Sequence, residues 1–363
     1  VRAVVLVGGE GTRLRPLTLT APKQMLPIVE QPMVERVLGQ LASHGIDEAV
    51  LSLGYRPDAF SDAYPDGVIA GVRSTYAVEP CPLDTAGAIR FAAEFEGIDD
   101  TFVVLNGDVL TDFDISGLIA FHREHGAEGT IGLTPVDDPS SFGVVPTEPD
   151  GKVTAFIEKP PRDEAPTNFI NAGIYVLEPS VLGRIAPDVR VSIERETFPA
   201  MVADGTLYAR GSDAYWLDTG TPDAYLRAHR DLLSGRRGGV PAPGAVADPE
   251  LGAGVWVIGE VVAAPGSVAR SLLGRGSTVA SGATVTDSVV GAGAVVEDGA
   301  TVTESVLLPG ARVAARAVVD HSIVGPGAIV GQRCIVTGVS VIGAEAVIAS
   351  GSTLDGERYP SGG

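Results

Sequence analysis

Apolar residues follow two different rhythms along the chain. Up to about residue 234 they form short continuous runs rich in aliphatic and β-branched residues: "RAVVLV" (2–7), "EAVLSL" (48–53), "RSTYAV" (73–78) and "TFVVLN" (101–106). Strands of a parallel sheet covered on both faces read this way, because neither side of the strand meets water. Between the runs lie stretches of helical period, such as "MVERVLGQLASHG" (33–45) and "TAGAIRFAAEF" (85–95). Alternation of this kind predicts a Rossmann-like, doubly wound α/β domain that binds its ligands at the carboxyl ends of the strands. Residues 142–177 interrupt it with "FGVVPTEPDGKVTAFIEKP" and "FINAGIYVL", which predict an antiparallel insertion turning at Pro-Asp-Gly.

A linker rich in glycine and proline (235–250) separates this part from the second rhythm. The segments "RSLLGRG", "DSVVGAG", "ESVLLPG", "HSIVGPG" and "VSVIGAE" place serines at 271, 288, 305, 322 and 340, at intervals of 17, 17, 17 and 18 residues. Aliphatic residues fall 6, 6 and 5 apart inside each repeat: Leu273, Val279, Val285; Val290, Val296, Val302; Leu307, Val313, Val319; Val324, Val330, Val336; and, after one inserted residue, Ile342, Ile348, Leu354. One inward aliphatic on each of three sides is the pattern of a parallel β-helix with triangular coils. A valine-rich sandwich would alternate by twos instead. The predicted organisation is therefore an α/β domain at 1–234, a linker at 235–250, a β-helix at 251–355 and a flexible tail at 356–363.

Composition narrows the function classes. At 363 residues the chain exceeds what one hydrophobic core usually serves. It has no apolar run near membrane-spanning length and no signal segment, so it reads as a cytoplasmic protein. Two cysteines, Cys81 and Cys334, make no disulfide framework or metal motif and read as small buried apolar residues. A formal charge of −20 argues against nucleic acid and anionic membrane as partners. Against that background positive charge is conspicuous. The chain has three lysines, Lys23, Lys152 and Lys159, and Lys23 follows Arg13 and Arg15 in "VVLVGGEGTRLRPLTLTAPKQMLP" (4–27). The glycines fit neither the Walker loop nor the dinucleotide fingerprint, since Leu14 stands where the latter needs its third glycine. Prolines at 16, 22 and 27 prevent an immediate helix, leaving an extended loop suited to a long polyanion.

The string "GGEGTRLRPLTLTAPKQMLP" resembles the signature of the sugar nucleotidyltransferases, and "RPLTLT" is closest to the branch that transfers guanylyl groups to mannose 1-phosphate. Six further motifs follow in the family's order: "EPCPLDTAGAIRFA" (79–92), "VVLNGDVL" (103–110), "FGVV" (142–145), "FIEKP" (156–160), "NAGIYVL" (171–177) and "WLDTGTPDAYL" (216–226). A carboxyl-terminal left-handed β-helix occurs in several members, so the resemblance implies that handedness here. It also implies attack of a sugar 1-phosphate on the α-phosphorus of a nucleoside triphosphate, with release of pyrophosphate. Such a reaction needs two anions held in line and cover for the charge on the leaving group.

Carried over motif by motif, the backbone of Gly8, Gly9, Gly11 and Thr12 would line the triphosphate, with Arg13 on its outer phosphates and Lys23 beside the reacting ones. Lys159 would grip the phosphate of the sugar. Asp108 and Asp218 would hold Mg2+, which keeps most of its waters and needs few carboxylates. Gly143, Glu158 and Asn171 would face the sugar, with Gly143 admitting the ring to the backbone. Glu79, Thr85, Ala86 and Gly87 lie on the base side; a carboxylate at Glu79 suits the two adjacent donors of guanine. The chain departs from the guanylyl pattern at Gln24, where proline is usual, and at Asp84, which replaces a glycine. The same reaction on glucose 1-phosphate or a related sugar with dTTP, UTP or ATP is the alternative. Two readings from other classes remain: an inactive regulatory subunit, and β-helix acyl transfer by a histidine, for which the repeats offer only His321, read as a solvated corner residue. A valine-filled prism with open ends predicts a homo-oligomer joined through the β-helix.

Overall fold

The computed structural model describes residues 1–360. The chain divides into two compact units, one of Val1–Gly9 with Val34–Trp216, the other of Glu10–Met33 with Leu217 to the end of the described chain. The division does not follow the linker: the basic loop, which runs from the first strand to the first long helix, belongs to the unit that contains the β-helix.

In the first unit the elements are β1 (Ala3–Leu6), α1 (Met33–Ser43), β2 (Glu48–Leu53), β3 (Val72–Val78), α2 (Asp84–Glu96), β4 (Phe102–Asn106), α3 (Ile115–His125), β5 (Gly129–Pro135), β6 (Gly143–Val144), β7 (Ile157–Glu158), β8 (Phe169–Leu177), α4 (Phe198–Asp204) and β9 (Leu207–Gly211). One sheet runs β7-β6-β8-β4-β1-β2-β3, ending on the short strand Val68–Ile69, while β5 pairs with β8 and β9. The core β3-β2-β1-β4 is parallel, as the continuous apolar runs predict. β8 enters antiparallel to both β4 and β5, which makes the sheet mixed. The turn in the insertion is closed by the Gly151 N–H on the Glu148 carbonyl at 2.9 Å. Helix α3 begins where Asp114 accepts the Gly117 N–H at 2.9 Å, a side-chain cap on an otherwise orphaned donor. The order of the parallel strands reverses at β1, so a ligand crevice is expected at the carboxyl ends of β1 and β4.

In the second unit, strands stack in three sheets of eight, six and six, parallel except for the first strand of the largest, as in a left-handed β-helix. Every aliphatic residue assigned inward by the six-residue spacing, from Leu273 to Leu354, is buried. The serines do more than turn corners. Each residue before one has a left-handed φ (Arg270, Asp287, Glu304, His321, Val339). Each serine hydroxyl donates to a nearby carbonyl of its own coil, as Ser288 does to Thr286 at 2.7 Å, and those of Ser271, Ser288, Ser305 and Ser340 accept an N–H from the next coil, as Ser288 does from Ser305 at 3.0 Å. Two boundaries move. Val246–Ala247, inside the expected linker, pairs antiparallel with Trp256–Val257, and Arg358–Tyr359, inside the expected tail, pairs with Val341–Ile342. Residues 361–363 of that tail lie outside the described residues. Cys334 is buried as expected, whereas Cys81 is exposed.

Candidate active site

The carboxyl edge of the parallel sheet gathers one set of predicted residues. Gly8 and Gly9 follow β1, Asp108 follows β4, and Leu6 and Asn106 are register partners, so these turns are neighbours. Glu79 follows β3 and its N–H is held by the Leu53 carbonyl at 2.8 Å. Both oxygens of Glu79 already accept protein donors: the Ser52 hydroxyl at 3.0 Å and the Leu83 N–H at 3.1 Å. The carboxylate thus closes the turn into α2, a role its place in the motif does not reveal. Asp84 has φ 60°, the left-handed region that a glycine occupies without strain, and its carboxylate accepts the Thr85 N–H at 2.9 Å.

Thr85, Ala86 and Gly87 begin α2, but their polar groups face inward. The N–H groups of Ala86 and Gly87 donate to the Val191 carbonyl, and the Thr85 hydroxyl donates to Glu194 at 2.7 Å while accepting the Ile193 N–H at 2.9 Å. The segment 191–197, wound as a short π-helix from Ile193 to Thr197, therefore fixes the start of α2. No periodicity announces it; its only sequence signal is Ser192, whose side chain caps it through the Arg195 N–H.

The antiparallel insertion assembles the residues assigned to the sugar. Gly143 pairs with Glu158 across β6 and β7, Val144 pairs with Ile170 beside Asn171, and the Lys159 N–H donates to the Phe142 carbonyl at 3.0 Å. Lys159 is exposed, its ammonium 3.2 Å from the Glu158 carboxylate, and its φ of 50° is strained for a lysine. A Cβ on Gly143 would come within 2.6 Å of the Phe156 ring and 3.2 Å of Glu158, so glycine here makes room for its own neighbours. Asn171 lies at a bulge of β8: its carbonyl accepts the Gly173 N–H at 2.9 Å and its amide donates to the Tyr175 hydroxyl at 2.9 Å, which fixes the orientation of the side chain.

The second unit holds the basic residues. Gly11 has φ 63° and opens the 3-10 turn Thr12–Leu14; Thr12 and Arg13 are exposed. Arg13 lies 3.9 Å from Asp218, whose other oxygen accepts the Gly220 N–H at 2.8 Å. Arg15 is paired locally with Glu10 at 3.1 Å. Lys23 is half-buried and opens the 3-10 turn Lys23–Met25 after Pro22, and a Cβ on Gly11 would come within 3.1 Å of its Cβ. His321 is no solvated corner residue: it is mostly covered, with its ring 3.3 Å from Asp223 and 3.6 Å from Glu304.

The described residues contain no group of three or more histidine, cysteine or acidic side chains placed to hold a metal, so a dedicated protein cage is excluded among them. Single carboxylates remain, which fits an ion coordinated largely by water and phosphate. No helix is long and apolar enough to cross a membrane among the described residues.

Comparison with known proteins divides the chain near the linker instead. Residues 2–235 match the model of the family described as nucleotidyl transferase, and residues 259–359 match the one described as GMPPB C-terminal domain. The chain is 44% identical over 245 residues to the mannose-1-phosphate guanylyltransferase of Mycobacterium tuberculosis, covering 67% of each chain. It is 38% identical over 270 residues to the mannose-1-phosphate guanylyltransferase catalytic subunit beta of Dictyostelium discoideum, covering 74% of this chain and 72% of that one. Among solved structures it is similar to HddC from Yersinia pseudotuberculosis complexed with GMP-PN (28% identity, TM-score 0.55, covering 63% of this chain and 98% of that one). It is also similar to a putative glucose-1-phosphate thymidylyltransferase from Bacillus anthracis in complex with a sucrose (26% identity, TM-score 0.56, covering 63% and 93%). Members of the family act on a nucleoside triphosphate and a sugar 1-phosphate and generally use a divalent metal. With its family model matched over the whole α/β part, the chain belongs to the nucleotidyl transferase family and is a sugar-1-phosphate nucleotidyltransferase.

Proposed function

We propose that the chain transfers a guanylyl group from GTP to mannose 1-phosphate, giving GDP-mannose and pyrophosphate. The observation that carries this choice of substrates is the 44% identity, across the α/β part, to a protein named for that activity. Glu79 adds to it: each oxygen of a carboxylate has two lone pairs, and the hydrogen bonds from Ser52 and Leu83 use one on each side. The remaining acceptors suit the adjacent N1–H and N2 donors of guanine, where uracil and thymine present a donor between two acceptors.

In this reading Arg13, Lys23 and the backbone of Gly8, Gly9, Gly11 and Thr12 bind the triphosphate, while Lys159 binds the phosphate of the sugar. Thr85, Ala86 and Gly87 form the wall on the base side. Glu158 and Asn171 orient the hexose, with Gly143 behind them. The sugar phosphate is already an anion at neutral pH, so the protein supplies no strong base. Its work is to hold two repelling anions in line and to oppose the charge that grows on pyrophosphate. Asp108 and Asp218 would hold Mg2+, whose contribution is Lewis-acid neutralisation of phosphate charge. Arg13 beside Asp218 keeps that carboxylate in a cationic setting when no metal is bound.

We assign this activity to residues 1–234 and a scaffolding role to residues 251–355, a division supported by the two family-model matches. We further propose a cytoplasmic homo-oligomer, assembled through the β-helix, with neither nucleic acid nor membrane as partner. Incubating the full chain with GTP, mannose 1-phosphate and Mg2+ should release pyrophosphate and yield GDP-mannose by mass. No release with any nucleotide and sugar phosphate pair would leave the inactive-subunit reading standing.

A further inference from the structure

Within the second unit the basic loop ends in a hairpin, Pro27–Ile28 paired with Gln31–Pro32. Both residues of its two-residue turn have left-handed φ, 49° at Val29 and 64° at Glu30. Such turns usually take Asn-Gly, and a β-branched residue at positive φ is an outlier. A strained turn persists only when its surroundings hold it. Helix α5 (Pro222–Leu233) supplies part of the hold: the Val29 N–H donates to His229 Nδ1 at 3.2 Å, and the Tyr225 hydroxyl donates to the Pro27 carbonyl.

The β-helix supplies the rest. The Glu30 carboxylate accepts the Ala292 N–H at 3.2 and 3.3 Å, and a Cβ on Gly274 would lie 2.8 Å from the same carboxylate. Near the start of the loop, Pro16 packs on Gly343, where a Cβ would come within 3.1 Å. One face of the β-helix shows the same cover. Leu272, Val289, Val306, Ile323 and Val341 precede the inward residues of their strands and so point outward, yet all are buried.

The donor at Ala292 is one the β-helix does not need. Four residues after each repeat serine stand Arg275, Ala292, Pro309, Pro326 and Ala344, and two of these five have no N–H to give. Burial raises the Glu30 carboxyl above its ordinary range, and the Ala292 N–H draws it part of the way back. A half-buried acid bonded to a dispensable donor is not explained by stability alone.

We propose that Glu30 is a positioning residue for nucleotidyl transfer: by tying the hairpin to the corner N–H of Ala292 it fixes the loop that carries Arg13 and Lys23. The β-helix is then a working part of the apparatus that places the phosphates of the nucleotide. The proposal rests on the assignment of Arg13 and Lys23 to that substrate.

The test compares Glu30→Ala, Glu30→Gln, Ala292→Pro and the double variant Glu30→Ala/Ala292→Pro in the full chain, with Arg13→Ala as a control and both substrates varied. Glu30→Ala should raise KM for the nucleotide and lower kcat, together costing about tenfold or more in kcat/KM, as small misplacements do. KM for the sugar 1-phosphate should stay within about twofold, since Lys159 is not on this loop. Glu30→Gln keeps a neutral acceptor and should restore most of the rate. Ala292→Pro should reproduce the loss, and the double variant should be no worse than either single, because both remove one interaction. Parent-like kinetics in Glu30→Ala, additive losses in the double variant, or equal rises in both KM values tracking a fall in Tm would each overturn the proposal. If Arg13→Ala is also parent-like, the assignment beneath it has failed; if Arg13→Ala is impaired and Glu30→Ala is not, the positioning role alone has failed.

Discussion

The β-helix and the basic loop of residues 10–33 belong to the same compact unit, yet they are specified in opposite ways. In the β-helix the neighbour of a residue is the residue one repeat away: Val285 lies on Val302, and Val302 on Val319. Direction, burial and corner geometry all follow from position in the repeat. In the loop, neighbours are remote and irregular: Val29 meets His229, and Glu30 meets Ala292. Repetition makes a structure tolerant and readable, since each coil restates the same rule. The loop has no rule to restate, and every contact is particular to it. In the proposed site, Arg13 and Lys23 fall on the particular part.

Substitutions should separate the two regimes, and the largest effect is expected at Lys159. Its φ is strained and its side chain exposed, and it is the residue proposed to bind the phosphate of the sugar. Lys159→Ala should keep the fold and lower kcat/KM by roughly 10²–10³, the scale for losing one preorganised charge contact. A parent-like value in steady-state kinetics would remove Lys159 from the site. Asp108→Asn and Asp218→Asn come next. Each should shift the half-saturating Mg2+ concentration by about 10–100-fold with little change in Tm; an unchanged titration in both variants would defeat the metal assignment.

The β-helix should respond in the other currency. Val302 is fully buried in the stack, and Val302→Ala should cost on the order of 2 kcal/mol in thermal unfolding while leaving kcat within about twofold at 25 °C. A large drop in kcat without a drop in Tm would show that the coils carry chemistry directly. The smallest effect is expected at Asp84→Gly. Relief of the left-handed φ, worth about 1 kcal/mol, is set against loss of the carboxylate on the Thr85 N–H at the start of α2, so Tm should move by no more than a few degrees. A shift beyond that, in either direction, would mean that Asp84 has a role the geometry does not display.

What the sequence revealed follows the same contrast. The parallel core, the antiparallel insertion and the inward residues of every coil were legible, because burial on both faces and a six-residue period leave marks on neighbouring letters. The motifs that carry the proposed site were legible, but the local contacts of their residues were not. Nothing near Glu79 announces that both its oxygens are engaged by Ser52 and Leu83, and Gly143 looked like access for a ligand until Phe156 was found against it. The inward turn of Thr85, Ala86 and Gly87 depends on a segment more than a hundred residues later. The antiparallel direction of β8 was legible, but its place was not: nothing in its letters says that it joins the main sheet between β4 and β5, because only its partners fix that.

Substrate choice is decided by a competition assay. The full chain is given GTP, ATP, UTP and dTTP at equal concentration, mannose 1-phosphate and glucose 1-phosphate at equal concentration, and Mg2+, and the products are resolved by mass at early times. Product ratios then equal ratios of kcat/KM, free of differences in assay conditions. GDP-mannose should dominate, and the share of guanosine products should fall when Glu79 is replaced by Gln. A parent enzyme that makes chiefly a thymidine, uridine or adenosine diphosphate sugar, or GDP-glucose in place of GDP-mannose, would contradict it.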